Sequence, residues 1–488
     1  MAAVFDRFDQ KLSNSENFDT VQEYDVIIVG AGFSGISALH RLRKAGLQAH
    51  IFEAGTSIEF RLYINRTSLS ADIPRLGSDF GGVWYWNRYP GARVDSEMPF
   101  YQLNIPEVYN TWNFSQRYPD HVELQKYLRH IDKTLGLSRD VSFNARVNGC
   151  TWDAGASKWK VRMETGVTAC AQFLILATGL LHRAYVPTWP GQEKYCGVML
   201  HSGAWPEDTD VSGKHVAIIG AGSTSVQITQ ELGKTAAQLT VLLRRPSYCL
   251  PMGQRAYTDV EQDELRAYYP ALFAAGRKSF TGLPMERQDA RAQDVSAEER
   301  ERYFESTWKI GGFHFLLRGY NNVMLDKEAN KIVYDYWRKK TLKRLTDVKK
   351  QEIMAPGVMP YYFSTKRSPL EQDYYEVLNQ DNVEVVDLNE HPIKSFTEWG
   401  MQLGGEDGGR EFDYIICATG YDSYTGSVTN MGLISKDGVG LKEVWKDGVR
   451  THLGMTIHGF PNAFMVYSPQ APTALANGPT IIGESLLQ

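Results

Sequence analysis

Two stretches of the chain repeat one pattern of apolar and polar positions. Residues 24–29 (YDVIIV) form a continuous apolar, β-branched run, which predicts a strand buried on both faces in a parallel sheet. The run passes through GAGFSG into ISALHRLRKAG, where Ile36, Leu39 and Leu42 recur at helical spacing and Gly46 is expected to cap the helix. A short second strand, AHIFE, ends at Glu53. The same order returns in KHVAII (214–219), GAGSTSVQITQELGK and LTVLL. Two further buried-strand runs, FLILATG (173–179) and YIICATGYD (414–422), each end in a small Ala-Thr-Gly turn. Residues 258–350 break the pattern, because they are rich in charge and helix formers and carry no glycine-rich turn. They predict a helical insertion, with KKTLKR as its solvated basic face.

Strand, glycine turn, helix and strand in this order form a dinucleotide-binding unit. In the first unit Gly30 permits the tight turn, Gly32 lets backbone approach a pyrophosphate, and Gly35 lets the helix pack on the strand. The helix N-terminus stabilises the phosphates, and Glu53 accepts hydrogen bonds from ribose hydroxyls, which selects FAD. In the second unit Gly220 and Gly222 match the first two glycines, Ser225 replaces the third, and Ser223 and Thr224 lie between. Its second strand ends in Arg244 and Arg245 rather than an acid, which favours a 2′-phosphate and therefore NADPH. Asp422, after the later Ala-Thr-Gly turn, is a candidate partner for the flavin's polar tail.

The predicted fold is α/β, with two three-layer dinucleotide-binding domains. Residues 1–23 read as a flexible leader, 24–180 and 386–488 as a split FAD domain, and 181–257 and 351–385 as the NADP domain. Composition narrows the function classes. With 52 basic and 57 acidic residues in 488, no polybasic footprint for nucleic acid exists. No apolar run is long enough for a transmembrane helix, and the first residues do not form a secretory signal, so a cytoplasmic location is expected. Five scattered cysteines without C-x-x-C are expected to be reduced, buried thiols, with no metal site. The first is Cys150, too late for the redox pair of a disulfide reductase.

Three further motifs narrow the chemistry. GGVWYWNRYPGARVD (81–95) resembles, position for position, the N-terminal signature of the Baeyer–Villiger monooxygenases. YCGVMLHSGAWP (195–206) is similar to that family's central fingerprint, with Tyr195 where the family has Phe, and TKRSPLEQDYYEVLNQDNVEVVD (365–387) is similar to the segment supplying a Lys-Arg pair. The resemblance implies that NADPH reduces FAD, that O2 forms a flavin 4a-peroxide, and that a carbonyl substrate is oxidised to an ester or lactone, with a place in secondary metabolism. It assigns Arg367 as the catalytic cation and Asp95 as its paired carboxylate. Lys366 and Arg244 become 2′-phosphate ligands, Trp84 packs near the flavin, and His201 couples NADP binding to domain motion.

Two departures from the family pattern stand out. Residues 56–78 intervene between Glu53 and the Gly-Gly-x-Trp motif, where a connection of about 2–6 residues is usual. This predicts weakened FAD binding, relieved by deletion. The segment SPQAPTALANGPTII (468–482) resembles a late flavin-domain segment after which relatives continue, so a truncated C-terminus is expected. An N- or S-oxidising flavin monooxygenase and a catalytically impaired FAD-binding remnant are the alternative readings.

Overall fold

The computed structural model describes residues 21–55, 80–471 and 476–486. Most of the leader and the whole segment 56–78 lie outside the described residues. The first glycine-rich unit builds an eight-stranded mixed sheet. Gln22–Val29 runs at its centre, parallel to Ala49–Phe52 on one side and to Thr168–Leu176 on the other. Lys158–Met163, Val147–Asp153 and Leu433–Ile434 extend one edge, Val141–Ser142 closes the other, and Ala463–Met465 pairs with Thr168–Leu176. Val26, Ile27 and Ile28 are fully buried, as expected of a strand covered on both faces. The helix Phe33–Lys44 ends at Ala45, with Gly46 one position beyond in the left-handed region at φ +78°.

The second unit forms a five-stranded all-parallel sheet in the order Val383–Asp387, Gln238–Leu243, His215–Ile219, Tyr414–Cys417 and Val198–His201. This corrects the expectation that the FAD domain resumes at residue 386. Tyr414–Cys417 pairs with His215–Ile219 in the second sheet, and the first sheet is regained only at Leu433–Ile434. The misreading has a physical origin, because a strand buried on both faces shows an unbroken apolar run whichever sheet it joins.

Helices dominate from Asp259–Arg266 to Val348–Met354, with Lys327–Leu342 the longest of them. Trp337 of that helix is fully buried and donates its indole N–H to the Cys249 carbonyl at 2.8 Å, which ties the helices to the second unit. The KKTLKR run is only partly a solvated face, with Lys339 and Lys343 exposed and Lys340 and Arg344 half-buried. Lys339 pairs with Glu301 at 2.6 Å, Lys340 with Glu305 at 2.9 Å, and Arg344 binds Glu371 and Glu376, each at 2.5 Å. All five cysteines are free, but Cys196 is exposed and Cys170 half-buried, which corrects the expectation that all are buried. Among the described residues no helix is long and apolar enough to cross a membrane, and no cluster of ligating side chains could hold a metal ion.

Candidate active site

The first glycine loop is shaped to leave its helix terminus open. A Cβ on Gly35 would sit 1.9 Å from the Gly30 carbonyl oxygen, so only glycine lets the helix Phe33–Lys44 approach the strand this closely. Gly32 caps that helix without a side-chain hydrogen bond, and no acid occupies its first turn. Helices elsewhere differ, since Asp120, Thr258, Ser296, Asp326 and Asp347 each cap one with a side-chain oxygen. Glu53 is buried at the end of the second strand, where its carboxylate accepts from the Ala31 N–H at 2.6 Å and the Gly55 N–H at 3.3 Å. Burial pushes its pKa up, against the opposing pull of those N–H groups.

The Gly-Gly-x-Trp motif packs onto this loop. Gly81 donates its N–H to the Ala31 carbonyl, and Gly82 caps the short helix Val83–Trp86. Trp84 is buried and donates its indole N–H to the Tyr101 hydroxyl at 3.0 Å. The end of the motif carries the charge pair. Arg367 donates from Nε to Asp95 Oδ2 at 2.7 Å and from Nη2 to Oδ1 at 2.6 Å, a bidentate contact between residues far apart in the chain. Burial disfavours the Arg367 charge, but the facing Asp95 carboxylate outweighs it and raises the pKa of the guanidinium. Each side chain is about a quarter exposed, so the pair borders open space.

The second loop solves the same packing problem differently. Ser225 is fully buried and donates its hydroxyl to the Gly220 carbonyl at 2.8 Å, in register with the contact that Gly35 makes bare. Gly222 caps the helix Ser223–Leu232, again with no side-chain cap, and a Cβ there would meet open space. Thr224 donates its hydroxyl to that of Tyr89 at 3.4 Å, which binds the first-unit motif to this helix. Arg244, Arg245 and Lys366 are exposed beside one another. Partial burial and the two arginine charges pull the Lys366 pKa down.

Comparisons with known proteins agree with this arrangement. Residues 24–268 match the family model described as pyridine nucleotide-disulphide oxidoreductase. An FAD-binding monooxygenase of Aspergillus aculeatus is 42% identical over 94% of this chain and 74% of its own length. Cyclopentanone 1,2-monooxygenase of a Comamonas species is 37% identical over 96% of this chain and 80% of its own. The structure of an enzyme named OTEMO, solved in complex with FAD and NADP, superposes with a TM-score of 0.87 at 31% identity, covering 96% of this chain and 84% of that one. The chain belongs to the Baeyer–Villiger monooxygenase family.

The family fingerprint around Tyr195 and His201 sits where the chain crosses between the sheets. Tyr195 uses the hydroxyl that distinguishes it from Phe to donate to the Phe412 carbonyl at 2.8 Å. His201 is buried; its Nδ1 accepts from the Gly203 N–H at 3.1 Å, and its Nε2 lies 2.9 Å from the Gly420 carbonyl. Those partners require a proton on Nε2 and none on Nδ1, which fixes the neutral tautomer. Burial lowers the His201 pKa below its ordinary 6.5. The contribution of this group to stability is therefore full above pH 6.5 and is lost as pH falls through that value toward the folded pKa. In His201→Gln the slope of unfolding free energy against pH, measured by urea denaturation just below that pH, is expected to flatten by up to about 1.4 kcal/mol per unit. An unchanged slope would mean that His201 is protonated alike in both states.

The two crossings are bonded to each other. Tyr185 donates its N–H to the Gly420 carbonyl at 2.9 Å, and Asp422 donates its N–H to the Arg183 carbonyl at 2.8 Å. Asp422 thus lies on a crossing segment, with its carboxylate 3.9 Å from Arg183. Sequence reasoning missed Tyr421 and Asn87 here: the Tyr421 hydroxyl donates to Asn87 Oδ1 at 2.8 Å, and its ring stands edge-on to His201. Both lie inside motifs that the sequence singles out, but 334 residues separate them, so no local signal pairs them.

Proposed function

We propose that this chain is an FAD- and NADPH-dependent monooxygenase that inserts one oxygen atom of O2 beside a ketone carbonyl. Ketone, O2, NADPH and a proton give ester or lactone, water and NADP+. The observation that carries the reading is the bidentate Asp95–Arg367 pair, held in a segment that packs on both glycine loops. The residues fit both nucleotides. Each loop offers a helix terminus without a side-chain cap, Glu53 suits a free ribose, and the exposed trio Arg244, Arg245 and Lys366 suits a 2′-phosphate. When bound, FAD supplies the activation of O2, with electrons from NADPH.

The protein's part is placement and charge. Arg367 keeps its proton at any working pH and holds a fixed positive charge for a developing anion, and Asp95 sets the plane of the guanidinium. Trp84 and Tyr101 pack edge to face and would wall the flavin when it is bound, keeping water out. His201, locked neutral between two backbone groups, serves the joint between the units rather than proton transfer. The ketone class is further supported by the similarity to cyclopentanone 1,2-monooxygenase. The test is product analysis under 18O2 with NADPH, offering a cyclic ketone and a thioether separately. A labelled lactone is expected, and a sulfoxide without lactone would move the chain to the heteroatom-oxidising monooxygenases.

A further inference from the structure

We propose that Glu97 and His314 are positioning residues for Arg367, forming a latch that closes residues 310–314 of the helical insertion onto the segment carrying Asp95. The proposal rests on the reading of Arg367 given above. Arg367 is held on two sides. Asp95 grips its edge, and the Phe313 ring covers its face, with the guanidinium carbon 4.8 Å from the ring centre. Asp95 belongs to the first unit and Phe313 to the insertion, so the geometry around the cation depends on how these two segments are fastened together.

The fastening lies on both flanks of Phe313. On one side His314 Nε2 is 3.1 Å from Glu97 Oε1, two residues beyond Asp95. On the other, Arg117 donates from Nη1 to the Ile310 carbonyl at 2.7 Å, while its Nε donates to Glu97 Oε2 at 2.7 Å. One carboxylate therefore holds both ends of the segment. Burial alone would raise the Glu97 pKa, but His314 and Arg117 more than offset it and keep it charged. Gly312, between the anchors, has φ +60°, and a Cβ there would lie 2.1 Å from the Tyr118 hydroxyl, so the backbone is drawn tight against the first unit.

His314 Nδ1 is buried and has no hydrogen-bond partner among the described residues. The polar hold of His314 on the first unit therefore runs through Nε2 and Glu97.

The experiment compares His314→Leu, His314→Gln and Glu97→Gln in the full-length FAD-loaded enzyme. Gln at 314 retains a donor where Nε2 stands, and Leu does not. Three quantities are read: ester formed per NADPH consumed, KM for NADPH, and hydrogen–deuterium exchange in peptides covering 309–318 and 364–368. His314→Leu and Glu97→Gln are expected to lower the ester yield about ten- to hundredfold, as a displaced catalytic group does. They should accelerate exchange in both peptides and leave KM within about twofold, with His314→Gln restoring most of the yield. Unchanged exchange at 364–368 in His314→Leu and Glu97→Gln overturns the latch, as does failure of His314→Gln to restore either yield or exchange. If His314→Leu lost its flavin, Glu97→Gln would decide by the same measurements. A wild-type enzyme forming no ester would sink the proposed function, while the exchange data would still decide the latch.

Discussion

Arg367→Ala is expected to keep FAD, to go on consuming NADPH, and to form about 10²–10³-fold less ester per second. Removing one preorganised cation from a partly enclosed site costs that much when charge develops beside it. The loss should exceed what the missing contact is worth to folding, because Asp95 then faces the site without its bidentate partner. Arg367→Lys separates charge from geometry. A lysine restores the charge but cannot chelate both carboxylate oxygens, so it should recover only part of the rate. Product yield against NADPH consumption, with the flavin content of each variant checked by absorbance, measures both. Ester formation at the wild-type rate in Arg367→Ala would show that another group stabilises the oxygenating state.

Lys366→Ala and Arg244→Ala are each expected to raise the KM for NADPH about 10–150-fold, while the KM for NADH changes little. Losing one charge-assisted phosphate contact costs about 1.5–3 kcal/mol. The two cations stand close enough for Arg244 to depress the Lys366 pKa, so both are expected to face the same anion. Their effects should then be less than additive in the double variant. Equal NADPH and NADH losses in both variants would sink the assignment of the 2′-phosphate site.

Both glycine loops and their flanking strands were legible from the sequence because their chemistry is local. Apolar runs, turn glycines and helical spacing fall within a few dozen residues, and the structure places them as read. Sheet membership was less legible: Tyr414–Cys417 carries the same apolar run as a first-sheet strand, and only its partners reveal the sheet. Arg367 and Asp95 could be paired only through motif resemblance, since 272 residues separate them. Glu97 and His314, 217 residues apart, left no trace at all. A carboxylate two residues past a motif and a histidine on a helical insertion look like surface residues until the chain folds. The basic run at 339–344 was only partly legible for a related reason, because its acidic partners come from other elements.

Because the chain passes between the sheets twice, and Tyr185 and Asp422 bond the two passages side by side, the units are joined as a door is joined to its frame. A lone tether would allow swivel and twist alike. Two segments clamped side by side bend readily about the line across them and resist rotation about their own length. A swing of the second unit is then expected to keep to a single arc.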